Sequence, residues 1–183
     1  MKKLAIGLSV CALLAGGVFL YVAYRLLFQP LRTPTAQQFQ TAFPNDTRAV
    51  FENSDRFVLL SLDPELGGMP TKLSKQNEFH GFRILGQTTL TDPEIRDEIR
   101  RAYYDGIADT TGWRKACFSP RHGIRATSKN ETLDLVICFS CSNVRIYPDA
   151  ADDGEKEYWS HIGESPRATF DRVLAEHGVP LDK

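Results

Sequence analysis

The sequence predicts an α+β protein: a small antiparallel β-sheet with two helices on one face, preceded by one N-terminal transmembrane helix. Three observations predict it. Leu4 to Tyr24 run without a charge, and two later segments carry apolar residues at helical spacing behind helix-start signals. The stretches between alternate short β-branched or aromatic runs with polar turns, giving the order β-β-α-β-β-β-α.

The chain has 183 residues, 25% of them charged and 42% hydrophobic. That length suits one domain, and the composition excludes a disordered chain, a collagen and a multi-span membrane protein. Residues 1–30 hold Lys2, Lys3 and Arg25 and no acid, which leaves 19 basic against 23 acidic side chains, a net of −4, in the rest. A mildly acidic domain does not read as a nucleic-acid binder, whose footprint is a basic excess.

The uncharged run LAIGLSVCALLAGGVFLYVAY would span about 31 Å as a helix, enough for a hydrocarbon core of about 30 Å. It is longer than the apolar stretch of a cleaved signal peptide and ends in aromatics and Arg25 rather than a small-x-small cleavage site. Cys11 follows Val10, which fits a lipoprotein signal poorly. An uncleaved signal anchor over residues 1–28 fits best, with Tyr21 and Tyr24 as interfacial aromatics. The basic bias of Lys2 and Lys3 predicts a single-pass inner-membrane protein with its C-terminal domain outside the cytoplasm. Residues 29–50, with three prolines between Gln29 and Asn45, read as a tether, with one short helix around Ala36–Ala42. Residues 51–183 form the α+β domain.

Arg56–Asp63 is an apolar run closed by Asp63-Pro64 and reads as a buried strand; Pro64–Asn77 reads as a loop. Phe79–Leu90 is β-branched and aromatic, hence extended. Thr91-Asp92-Pro93-Glu94 starts a helix, with Ile95, Ile99, Ala102, Tyr103 and Ile107 on one face. Arg114–Phe118, Gly123–Thr127 and Thr132–Phe139 read as strands, the last two joined by the polar turn Ser128–Glu131 as a hairpin. Val144–Tyr147 extends the sheet, and Asp149–Glu157 is an acidic solvated loop. Ser165-Pro166 starts the second helix, with Phe170, Val173 and Leu174 inward and Gly178 past its end.

The chemistry-bearing residues crowd into two segments, Cys117-Phe-Ser-Pro-Arg-His-Gly-Ile-Arg125 and Asp134-Leu-Val-Ile-Cys-Phe-Ser-Cys141. Cys117, His122, Cys138 and Cys141 have the ligand types of a closed zinc site, although the first pair is spaced C-x4-H. The same cysteines suit a disulfide, for which Cys117 with Cys138 or Cys141 is the natural long-range pair. Thioredoxin-type redox chemistry fits poorly, because Cys138 closes a strand rather than opening a helix. Cys117 as a nucleophile with His122 as its base is weaker still. Against all of these stands plain packing, with the cysteines as small buried hydrophobes and Arg121 and Arg125 paired to acids. His80 and His161 lie beside aromatics and read as sheet residues, and His177 suits the last turn of a helix. No Walker loop, dinucleotide glycines, H-E-x-x-H, nucleophile elbow or paired-carboxylate motif is present.

At CFSPRHGIR and DLVICFSC the chain resembles a family of bacterial secreted or membrane-anchored proteins with a C-F-x-P-R-H-G-I/L-R stretch followed by D-x-V-I-C-F-x-C. SPRATFDRVLAEHGVPL is similar to that family's closing helix, so the likeness covers about residues 57–182. The resemblance implies a hairpin-centred domain in the bacterial envelope. The family has no assigned activity, so it implies no catalytic residue.

The expectation is therefore a membrane-anchored envelope protein whose domain is a non-catalytic binding or accessory module. Arg121, His122 and Arg125 would anchor a ligand, and the partners would be the membrane through residues 4–24 and a protein or an anionic small molecule. The alternative is a zinc-binding or thiol/disulfide site built from Cys117, His122, Cys138 and Cys141; no cofactor besides that zinc is implied.

Overall fold

The structure is a computed structural model and describes residues 33–44, 47–65, 77–110, 115–148 and 157–182. All of these belong to one compact unit, Arg32–Lys183. In chain order they form α1 (Ala36–Ala42), α2 (Thr47–Glu52), β1 (Arg56–Asp63), β2 (Glu78–Phe79), β3 (Phe82–Thr89), α3 (Pro93–Ala108), β4 (His122–Ser128), β5 (Glu131–Cys138), a 3-10 turn (Phe139–Cys141), β6 (Asn143–Pro148), β7 (Tyr158–His161) and α4 (Arg167–Glu176).

The strands make a single sheet in the order β2-β3-β1-β4-β5-β6-β7, antiparallel at every pairing and curled into a half-barrel. The small sheet with two helices expected from sequence is thus corrected to seven strands and, among the described residues, four α-helices. Two strands escaped the sequence because they are too short for periodicity: Glu78–Phe79 and Tyr158–His161 pair only at the sheet's edges. Arg114–Phe118, expected as a strand, instead runs without regular structure where it is described, from Lys115.

No helix among the described residues is long and apolar enough to cross a membrane. That corrects the predicted transmembrane helix and, with it, the expectation of a membrane protein and the single-pass inner-membrane location. The segment on which they rested, residues 4–24, lies outside the described residues.

Strand alternation divides the apolar residues into two clusters. The larger core takes Phe57 and Leu59 of β1, Ile124 and Ala126 of β4, Leu133, Leu135 and Ile137 of β5, and Val144 and Ile146 of β6. Every helix packs there: Ala42 of α1, Val50 and Phe51 of α2, Ile99, Tyr103 and Ile107 of α3, and Phe170, Val173 and Leu174 of α4. The stretch expected as a tether therefore contributes its second half to this core. Thr35 caps α1 with a capping box through Gln38, so the short helix has a defined start.

Helix α3 begins as its sequence dictates, with Asp92 accepting from the Glu94 amide at 2.8 Å and Pro93 in the first turn. Its Gly106 allows close approach to the start of α4: a Cβ there would lie 2.5 Å from Pro166 Cγ and 2.8 Å from Ile162 Cγ1.

The opposite sheet face carries no helix among the described residues. Its cluster is Val58, Leu60 and Leu62 of β1 with Phe79, Phe82, Val136 and Tyr147, and Ile84 and Phe118 pack against it. This face holds the candidate site.

Candidate functional site

Strand β5 ends at Cys138, and the next three residues form the 3-10 turn that closes on Ser142 in the left-handed region (φ 55°). In a 3-10 turn, side chains three residues apart eclipse one another. The C-x-x-C spacing therefore brings Cys138 and Cys141 to a Cα separation of 5.2 Å, and the two form a disulfide. Both are buried, at 0% and 1% exposure.

The third cysteine reaches this pair from the loop before β4. Lys115 donates its amide to the Cys141 carbonyl at 3.1 Å, and Asn143 Nδ2 donates to the Lys115 carbonyl at 3.2 Å. Ser119 N donates to Cys141 Sγ at 3.5 Å. These three bonds fix the loop over the turn from both sides of Cys117. Its thiol is free and exposed, and its Sγ lies 3.2 Å from Cys141 Sγ. The structure thus brings Cys117, Cys138 and Cys141 together as one accessible thiol against one buried disulfide.

Cys117 opens into a cleft of about 620 Å³ lined by Lys115, Ala116, Phe118, Asn143 and Trp159. Trp159, at 41% exposure, is the exposed large hydrophobic residue of the described surface. Its ring meets Phe118 edge-on at 5.3 Å. The Arg145 guanidinium sits 4.2 Å from the Phe118 centroid and 4.4 Å from that of Trp159, a cation held between two aromatic faces. Arg145 also lies 3.5 Å from Glu157, which accepts from Tyr147 Oη at 3.0 Å. Burial pushes the Tyr147 phenol up to about 12, so it stays a neutral donor at neutral pH.

His122, Arg121 and Arg125 do not share a face. Residues an odd number apart on a strand point to opposite sides. His122 sits on the helix side, its Nε2 2.8 Å from Asp171 of α4 and its ring beside Phe139 and Phe170 at 5.1 and 5.7 Å. Arg121 pairs with Asp182 at 2.6 Å. Arg125 lies on the other face, where Nε and Nη2 donate to the two oxygens of Asp134 at 2.9 and 2.6 Å.

His122 also breaks up the zinc set, being engaged by Asp171 while Cys138 and Cys141 are bonded to each other. A disulfide offers no thiolates to a metal, and the described residues contain no group of three or more His, Cys, Asp or Glu side chains placed to hold one.

The His122 hydrogen bond, with Arg167 behind it, holds the Asp171 carboxyl below the usual carboxylate range. A carboxylate with a depressed folded pKa stabilises the fold above its unfolded value, and that contribution is lost as pH falls through the folded value. The stability gap between the parent and Asp171→Asn is therefore expected to be full at neutral pH and to close below about pH 4; urea unfolding at both pH values measures it.

The plain-packing reading pairs Arg125 with an acid, as found, but sequence reasoning missed the polar cluster on the helix-free face to which that pair belongs. Asp134 is fully buried, and besides Arg125 it meets His80 Nε2 at 2.7 Å. His80 and Gly81 form the two-residue turn between β2 and β3, both at positive φ (49° and 83°). That is the primed hairpin geometry in which glycine serves at the second position. The turn lays the His80 ring flat on Tyr147, with centroids 3.7 Å apart. The signal was a lone acid inside the apolar run Leu133-Asp-Leu-Val-Ile137, which cannot be buried without cationic partners.

Compared with protein-family models, with curated proteins and with solved structures, the chain matches none.

Proposed function

We propose that the domain is a binding module built around a thiol–disulfide exchange site, with Cys117 as the accessible thiol and Cys138–Cys141 as the internal couple. One observation carries the reading: Cys117 Sγ stands 3.2 Å from Cys141 Sγ while Cys141 is bonded to Cys138. Exchange proceeds by attack of a thiolate on a disulfide sulfur. When Cys117 attacks Cys141, a Cys117–Cys141 bond forms and the Cys138–Cys141 bond breaks. Cys138 leaves as a thiolate and takes up the proton that Cys117 gave up; no electrons enter or leave the protein. Until that proton arrives, the expelled Cys138 thiolate carries its charge at a fully buried position, which is unfavourable and slows the exchange; the structure holds the Cys138–Cys141 bond with Cys117 free.

In a glutathione redox buffer, Cys138→Ser is expected to form the Cys117–Cys141 disulfide, read by non-reducing peptide mapping. Cys141→Ser is expected to leave Cys117 and Cys138 unlinked, because Cys141 is the sulfur within reach of both partners. A Cys138→Ser protein whose Cys117 and Cys141 both stay reduced while Cys138–Cys141 forms in the parent overturns the reading.

A further inference from the structure

We infer that the cleft at Cys117 takes a small thiol compound bearing carboxylates, held by charge and then joined to Cys117 as a mixed disulfide. The inference rests on the exchange reading above and adds the class of its small-molecule partner. Three observations support it. The cleft of about 620 Å³ is of the size that encloses small ligands, roughly 300–1,000 Å³. Among the described residues, those lining it include one cation, Lys115, and no acid. Lys115 is exposed, and no ion pair engages it among the described residues. Trp159 and Phe118 add two aromatic walls beside the thiol, against which the carbon skeleton of a peptide-sized thiol can lie.

The chemistry balances. With Cys138 and Cys141 reduced, the Cys117 thiolate attacks a symmetrical small disulfide; the Cys117–S–S–R bond forms, the R–S–S–R bond breaks, and one R–S⁻ leaves and is protonated. The Cys141 thiolate then attacks Cys117 Sγ, 3.2 Å away, and expels the second R–S⁻. Cys138 finally attacks Cys141 and releases Cys117. The small disulfide gains two electrons and two protons as two thiols, and Cys138 and Cys141 lose them as one disulfide. Run backwards, the same steps let two small thiols reduce the internal disulfide.

The test uses the full chain and three disulfide probes: oxidised glutathione, which is anionic, bis(2-hydroxyethyl) disulfide, which is small and neutral, and an uncharged cysteine-peptide disulfide. The rate of adduct formation is read by intact mass and placed on Cys117 by peptide mapping. Rates are divided by those of a free cysteine peptide with each probe. The expected result is a preference for oxidised glutathione of about tenfold or more, as charge focusing in a cleft gives, falling as salt rises and lost in Lys115→Glu. Equal normalised rates for oxidised glutathione and the small neutral probe overturn the anionic ligand, while the exchange reading stands if Cys138→Ser still links Cys117 to Cys141. Faster adduct formation with the uncharged cysteine-peptide disulfide than with glutathione also overturns it, in favour of a polypeptide partner. No adduct on Cys117 with any of the three probes, together with no Cys117–Cys141 link in Cys138→Ser, removes both readings.

Discussion

Arg125→Met is expected to destabilise the domain by about 3–5 kcal/mol, the cost of breaking a buried ion pair from one side. Asp134 is fully buried on the helix-free sheet face. It takes both Arg125 donors, at 2.9 and 2.6 Å, and His80 at 2.7 Å. Removing Arg125 leaves a carboxylate among Val136, Phe79 and Tyr147 with one histidine as its remaining partner. Asp134→Asn is expected to cost less than Arg125→Met. The guanidinium it leaves unpaired is 45% exposed and can turn to water, whereas the carboxylate cannot. The pair Arg125→Met with Asp134→Leu removes both charges and is expected to recover most of the loss. Urea unfolding of the three variants measures the ordering, and an Arg125→Met cost below about 1 kcal/mol would show that the pair is solvated.

The second large effect is expected at Phe51→Ala, about 3–5 kcal/mol, the range for emptying a buried phenylalanine site. Phe51 is fully buried at the centre of an aromatic group, with ring centroids 5.3 Å from Phe43, 5.7 Å from Phe57 and 5.3 Å from Tyr103. It belongs to α2, which packs on the sheet side of the core and is held from α3 as well: Arg100 Nε donates to the Phe51 carbonyl at 3.0 Å and Tyr104 Oη donates to Glu52 at 2.8 Å. A cost within about 0.5 kcal/mol of neutral would contradict this burial. Thermal or urea unfolding separates the two outcomes.

The elements most legible in the sequence are those with strong local rules. Arg56–Asp63 is a strand because an apolar run ends at Asp-Pro, and α3 starts where Asp92-Pro93-Glu94 supply a cap, a fixed φ and a first-turn acid. The β4–β5 hairpin follows from its polar turn, and Gly178 at φ 69° ends α4 as expected of a helix C-terminus. What stayed hidden depends on tertiary context. The burial of Phe43 and Phe51 is set by aromatic partners on α3 and β1, distant in sequence, so the short helix Ala36–Ala42 was legible in the proline-rich stretch while its place in the core, and the whole of α2 after it, were not. The gathering of Cys117 onto the 138–141 turn depends on backbone bonds from Lys115, Ser119 and Asn143 that no spacing rule encodes. His80 meets Asp134 only because a two-residue turn at positive φ swings it across the sheet face.

The claim that one accessible thiol faces one internal disulfide is tested most directly by alkylating the unreduced, natively folded protein and mapping its peptides. Cys117 is expected to carry the alkyl group while Cys138 and Cys141 are recovered as one linked species, with any minor isomer joining Cys117 to Cys141. Recovery of a Cys117–Cys138 disulfide, or alkylation of Cys138 and Cys141 in the oxidised protein, would contradict it.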